Sequence, residues 1–306
     1  MILVLRALGV GDLAASVPAL RALRSGFPDR TLALAAPTWL TPLIDLAGGV
    51  DRVLPTDGLA APAWRVEPPE VAVNLHGRGP ESHRLLRTTG PAKLWAFANP
   101  DAGHSDGPGW DEEEHEVRRW CRLLGHYGLR ADPSDLSLAV PSVEVAGHLT
   151  VVHPGAKSPT RRWPVERFAA VARRLATAGH RVVVTGTEPD LAADVARRSG
   201  TQVLDTTLAE LAGVVAHARL VVSGDTGIAH LATAYGTPSV VLFGPVPPSR
   251  WGPPAGRPYH RPIWHGTRAG RGDSPGPDVH PALLAIGVDE VIHEAGEAER
   301  HAAAAQ

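Results

Sequence analysis

The chain has 306 residues, 43% apolar and 20% charged, a globular mix long enough for two domains. Its formal net charge of −2 gives no bulk attraction to nucleic acid or to an anionic membrane surface. A single cysteine, Cys121, excludes an internal disulfide and a cysteine-built metal site. Among the 30 basic residues only Lys93 and Lys157 are lysines, a bias that fits GC-rich codon usage rather than chemistry. No apolar run reaches membrane-spanning length, and the apolar start "MILVLRALGVGD" is interrupted by Arg6, so the expected location is cytoplasmic.

In chain order, "ILVLRA" (2–7) predicts a strand, and Leu13, Val17, Leu20 and Leu23 recur at helical spacing behind it. Strand-like runs follow at 31–36, 50–55, 71–75 and 93–98, then a helix from about Glu112 to Tyr127. After a proline-containing stretch at 138–148 the same grammar resumes. Runs at 149–155, 181–186, 219–224 and 239–244 alternate with helices starting near Pro164, Pro189 and Thr226. Continuous apolar runs mark strands buried on both faces, and intervening helices imply parallel sheets joined by crossovers. The expected class is α/β, with two Rossmann-like domains at 1–144 and 145–306. Residues 253–281 read as loop-rich, and the tail "GEAERHAAAAQ" as a fraying end.

Ligands of open parallel sheets sit beyond the carboxyl ends of the strands, which directs attention to four loops. "GVGDLA" (9–14) fits a dinucleotide fingerprint variant through Gly9 and Gly11, yet no acidic residue ends the second strand, which argues against NAD or FAD. Asp12 reads there either as a helix cap or as a functional carboxylate. "HPGAKSPTRRWP" (153–164) gathers Lys157, Ser158, Thr160, Arg161 and Arg162, suited to a pyrophosphate or simply a solvated basic loop. "TGTEPD" (185–190) places Glu188 and Asp190 at a strand end, for a ribose diol or for capping. "SGDTGIAHLATAYGTP" (223–238) opens a helix whose free N–H groups at Thr226 and Gly227 suit an anion. Thr226 and His230 share one face by their i, i+4 spacing, and Asp225 precedes them. Asp-Thr-Gly is also the triplet of aspartic proteases, but one copy ahead of a helix lacks the required second carboxylate.

Together these stretches resemble the heptosyltransferases, the ADP-heptose-type inverting enzymes of glycosyltransferase family 9. They are carried by "GVGDLAASVPALRALRSGFP" (9–28), "VVHPGAKSPTRRWPVERFAAVARRL" (151–175), "VVVTGTEPD" (182–190) and "VVSGDTGIAHLATAYGTPSVVLFGP" (222–245). The resemblance implies a GT-B fold, two Rossmann-like domains whose parallel sheets face a central cleft, with the acceptor on the N-terminal domain and the nucleotide sugar on the C-terminal one. It also allows the last helix to pack back on the N-terminal domain. It implies that Asp12 is the general base. Arg161, at a position where family members carry lysine, would bind the donor phosphates with Lys157, Ser158, Thr226 and Gly227. Asp225, His230, Asp190, Glu188, Thr206 and Leu208 would meet the donor sugar and nucleoside.

On the acceptor side, "NLHGRGPESHRLLRTTGP" (74–91) offers His76, Arg78, His83, Arg84 and Arg87, and residues 99–117 read as a mobile loop. His104, His115 and His126 have no metal-ligand spacing, and "GRGDS" (270–274) is read as chance. The expected reaction moves a heptose from an ADP-linked donor onto a hydroxyl of a glycan, glycolipid or metabolite, lipopolysaccharide core being the family's usual acceptor. The expected protein is a monomer that needs no cofactor or metal, binds no nucleic acid, and touches the inner membrane at most peripherally. The rivals are a sugar-nucleotide epimerase on the same fold and a non-catalytic nucleotide-sugar binding protein.

Overall fold

Strands buried on both faces dominate the computed structural model, which describes residues 1–60, 64–267 and 278–305. The chain forms two units, Met1–Ala139 and Val140–Gln306. The first contains β1 (Ile2–Leu5), α1 (Val10–Gly26), β2 (Leu32–Ala36), α2 (Thr41–Ala47), β3 (Arg52–Pro55), β4 (Val71–Asn74), α3 (Glu81–Arg87), β5 (Lys93–Trp95) and α4 (Glu116–His126). Its sheet runs β3-β2-β1-β4-β5, all parallel. Strands β1, β2 and β4 are buried at every position, so helices must cover both faces. Leu3, Leu5, Ala33, Ala35, Leu54 and Ala72 share one core cluster.

The second unit contains β6 (Leu149–His153), α5 (Val165–Thr177), β7 (Arg181–Val184), α6 (Pro189–Ser199), β8 (Gln202–Val203), α7 (Leu208–Ala216), β9 (Leu220–Gly224), α8 (Gly227–Tyr235), β10 (Ser239–Leu242), α9 (Pro248–Trp251), β11 (His260–Ile263), α10 (Pro281–Leu284) and α11 (Val288–Ala304). Its sheet runs β11-β10-β9-β6-β7-β8, again parallel throughout. Phe168, Val171 and Leu175 of α5 pack with Val152, Val184 and Val222 of the strands. Both strand orders are those of the doubly wound α/β fold, in which the order of strand addition reverses beside the first strand. The reversal lies between β1 and β4 in one sheet and between β6 and β9 in the other. The α/β architecture with parallel sheets is the one predicted by the alternation of apolar runs.

Several expectations fail for identifiable reasons. The tail does not fray. Helix α11 runs to Ala304 and buries Val291, Ala295 and Ala298 at helical spacing, against α5 and β9–β11. The stretch read as loop-rich contains the edge strand β11, whose sequence "HRPI" is too polar to announce itself. Gly9 is the extended N-cap of α1 at φ −91°, and Gly11 already lies inside the helix. Residues 99–117 are tied down rather than loose. The Trp110 ring packs edge-on against Phe97 at 5.0 Å and under the Arg119 guanidinium at 4.1 Å, and Arg122 donates to the Gly109 carbonyl at 3.0 Å. Gly107 is required in that segment because a Cβ would overlap the Ala96 carbonyl oxygen. The helix expected from Glu112 therefore starts at Glu116, with the His115 ring accepting the Val117 N–H at 3.3 Å. The "GRGDS" stretch lies outside the described residues.

Candidate functional site

In the first unit, the reversal point carries Asp12 and His76. Four residues separate the end of β1 from the start of α1, which places Asp12 in its first turn, where the helix dipole favours a carboxylate. Asp12 is not the N-cap itself. It accepts the N–H of the N-cap Gly9 through Oδ2 at 3.2 Å, and its Oδ1 lies 3.2 Å from Arg6 Nη2. His76 follows β4, and its Nδ1 accepts the Ala7 N–H at 3.3 Å. Burial and the neighbouring Arg6 push this imidazole down to about 4, against an opposing pull from Asp12. The ring is therefore neutral near neutral pH and can accept or donate without adding charge.

Two charged residues that the sequence reading passed over complete this corner. Arg6 ends the first apolar run and is 1% exposed, and Glu116 opens α4 and is 5% exposed. Arg6 Nη2 is 3.1 Å from Glu116 Oε1. The signal available beforehand was a lone arginine inside a strand-like run, since a buried arginine needs a carboxylate partner. The other acceptor-side candidates have partners within the first unit. Arg84 and Arg87 donate to the carbonyls of Asp101, Ala102 and Gly103. His83 is fully buried, with Nε2 2.8 Å from the Phe97 carbonyl oxygen. Arg78 forms an exposed ion pair with Glu112 at 2.9 Å.

In the second unit, the sheet order β9-β6-β7-β8 lines up the carboxyl ends that bear the donor-side candidates. After β6 the chain passes through Gly155 and a short 3-10 turn, Pro159–Arg161, to α5, with Pro164 as its N-cap. This brings Arg161 Nη1 within 3.5 Å of Asp225 Oδ2, beyond β9. Thr226 is the extended N-cap of α8 and makes no side-chain cap bond. His230 lies one turn in and meets the Trp251 ring edge at 5.8 Å between centroids.

Along the same edge Glu188 pairs with Arg162 at 2.8 Å, and Asp190 stands exposed in the first turn of α6. Thr206 and Leu208 flank Thr207, which caps α7 through Glu210. Lys157 is exposed, and Ser158 Oγ bonds Thr160 Oγ1 at 2.8 Å. Below this row His153 and Thr185 are buried, Nδ1 to Oγ1 at 2.9 Å, and Ser223 Oγ lies buried with no hydrogen-bond partner. The cationic loop and the open amide end of α8 thus converge beside Asp225, an arrangement that can take up a diphosphate. Among the described residues, no group of three or more His, Cys, Asp or Glu could hold a metal ion, and no helix is long and apolar enough to cross a membrane.

The family model described as glycosyltransferase family 9 (heptosyltransferase) matches residues 111–262. Lipopolysaccharide heptosyltransferase 2 of Escherichia coli is 24% identical over 300 residues, covering 81% of this chain and 83% of that protein. Among solved structures, the E. coli ADP-heptose lps heptosyltransferase II has a TM-score of 0.76 at 21% identity over 99% of both chains. The E. coli heptosyltransferase WaaC with ADP has a TM-score of 0.73 at 18% identity, over 97% of this chain and 99% of that one. The chain has the fold of these structures, and its residues 111–262 match the heptosyltransferases of glycosyltransferase family 9: it is a glycosyltransferase.

Proposed function

We propose that the protein transfers a heptose from an ADP-heptose-type donor to a hydroxyl of a lipopolysaccharide-type glycan, with inversion. The observation that carries the donor half is the meeting of Arg161, Asp225 and the start of α8 at the reversal point of the second sheet. In this reading the Thr226 and Gly227 amides and Arg161 hold the donor diphosphate, with Lys157 and Ser158 at its outer side. Asp225 and His230 meet the sugar end. Asp190 and Glu188, with Thr206 and Leu208 further along the edge, face the nucleoside. The helix dipole and Arg161 stabilise charge that grows on the departing diphosphate.

Asp12 serves as the base. It takes the acceptor O–H proton, the oxygen attacks the anomeric carbon, and the bond from that carbon to the phosphate oxygen breaks, releasing ADP. Direct displacement of this kind inverts the anomeric centre and needs one base, unlike the paired carboxylates of glycosidases.

The test is a transfer assay with ADP-heptose and a heptose-deficient lipopolysaccharide core, with nucleotide sugars carrying other bases alongside. Acceptor-dependent release of ADP, with the sugar found on the acceptor in the inverted configuration, is expected. Epimerised donor with no acceptor consumed would overturn the reading. The donor half has its own check. Arg161→Ala removes a charge-assisted contact worth about 1.5–3 kcal/mol, so calorimetry is expected to show ADP binding weakened by roughly 10- to 150-fold. Unaltered affinity would take Arg161 out of the phosphate site.

A further inference from the structure

We propose that Glu116 and Arg119 are positioning residues for the transfer, forming with Arg6 a buried charge ladder that holds the Asp12 carboxylate in place while leaving it only a share of the guanidinium. The inference rests on the reading of Asp12 as the base. A carboxylate bonded to a guanidinium is held firmly but becomes a poorer proton acceptor. The geometry resolves that conflict by dividing the guanidinium between two carboxylates.

A single nitrogen, Arg6 Nη2, lies 3.2 Å from Asp12 Oδ1 and 3.1 Å from Glu116 Oε1. The rest of Arg6 is fixed by its Nε bond to the Asp12 carbonyl at 3.0 Å, its Nη1 bond to the Leu75 carbonyl, and the Trp120 ring 4.8 Å beneath the guanidinium. Glu116 is fixed just as fully. Its Oε1 also accepts the Trp120 indole N–H at 3.0 Å, and its Oε2 pairs with Arg119 Nη1. Arg119 in turn donates to the Asp111 and Glu114 carbonyls at 2.8 and 3.0 Å. The Arg6, Glu116 and Arg119 side chains are 1%, 6% and 3% exposed, whereas that of Asp12 is 29% exposed. Asp12 is thus the member of the ladder open to a reacting group.

Burying such charges is costly unless each stays paired, and here each does at both stages of the reaction. With Asp12 ionised, two carboxylates balance two guanidiniums. When Asp12 gains the proton, Arg6 still has Glu116. The groups facing Asp12 are Arg6 at the end of β1, His76 after β4, and Glu116 with Arg119 behind it on α4. His76, held low by burial and by Arg6, contributes no charge at working pH.

The test is the pH profile of kcat/KM for the full-length enzyme, which reports the free enzyme's essential base. The acid limb of that profile belongs to the base. Glu116→Gln removes a like charge and leaves Arg6 to Asp12 alone, so the acid limb is expected to move down by about one pH unit, with a lower plateau. Arg119→Gln removes a cation and is expected to move the limb the other way. A lower melting temperature for Glu116→Gln with an unmoved limb would reduce the ladder to a structural role and overturn the proposal. If Glu116→Gln does not fold, as read by circular dichroism, Arg119→Gln decides: an upward shift supports the ladder and an unmoved limb overturns it. Asp12→Asn is measured alongside. Turnover retained in that variant removes the base assignment and the ladder's role with it, whereas an inactive Asp12→Asn with unmoved limbs overturns the ladder alone.

Discussion

Asp12→Asn is expected to lower kcat on the order of 10²- to 10⁴-fold, the usual contribution of a positioned base, while ADP still binds. The amide oxygen can accept the Gly9 N–H that Asp12 Oδ2 accepts at 3.2 Å, so the first turn of α1 keeps its cap. Arg6 keeps Glu116 at 3.1 Å, so the substitution strands no buried cation. What an amide cannot do is take up the acceptor's proton. Steady-state turnover together with ADP calorimetry separates the two effects, because ADP binding is assigned to the second unit. Wild-type turnover in Asp12→Asn would remove Asp12 as the base, and loss of ADP binding would point instead to a folding defect.

Stability is expected to fall steeply on mild acidification, with His153 as a principal source. This ring ends β6, is 7% exposed, and bonds Thr185 Oγ1 at 2.9 Å. Burial pushes it down from 6.5 to about 4. Below 6.5 the unfolded chain binds a proton there that the folded chain refuses, so lowering the pH favours unfolding. Stability is full above about pH 6.5, declines as the pH falls to about 4, and the decline then levels off. The difference between those two values corresponds to about 3 kcal/mol for this one group. His260, buried and held to about 4 by burial and Arg257, acts in the same direction. Urea unfolding of wild type and His153→Gln between about pH 7 and pH 4.5 measures the contribution. The variant is expected to show a clearly shallower loss, and an identical pH slope would mean that His153 titrates normally in the folded protein.

The extent to which the fold was legible follows from where apolar side chains must go. Strands β1, β2, β4, β6, β9 and β10 are buried at every position, so each appears as a mostly apolar run and the two parallel sheets can be anticipated. The edges were less legible. In β8, Gln202 and Val203 are both exposed, and β11 contains Pro262, so neither has a pattern that demands a strand. Helix α11 had the apolar spacing of Val291, Ala295 and Ala298, but alanines bury little surface each, and only the packing against α5 reveals their use.

The loops divide in the same way. Asp225, Thr226 and Gly227 stand out in the sequence because a strand leads into a helix there, and backbone geometry alone supplies the free amides. Arg84 and Arg87 also offer charge for an anion, and the structure adds that they donate to the carbonyls of Asp101, Ala102 and Gly103. Charge can be counted in a sequence, but the partner that neutralises it cannot. By itself the sequence determined the α/β grammar, the strand-end loops and the carboxylate at Asp12, all of which depend on residues close together in the chain. Only the tertiary structure decided that Arg6, Asp12 and Glu116 share one guanidinium. That sharing depends on helix α4 packing against α1, a contact across more than a hundred residues set by the burial of both helices rather than by any local pattern.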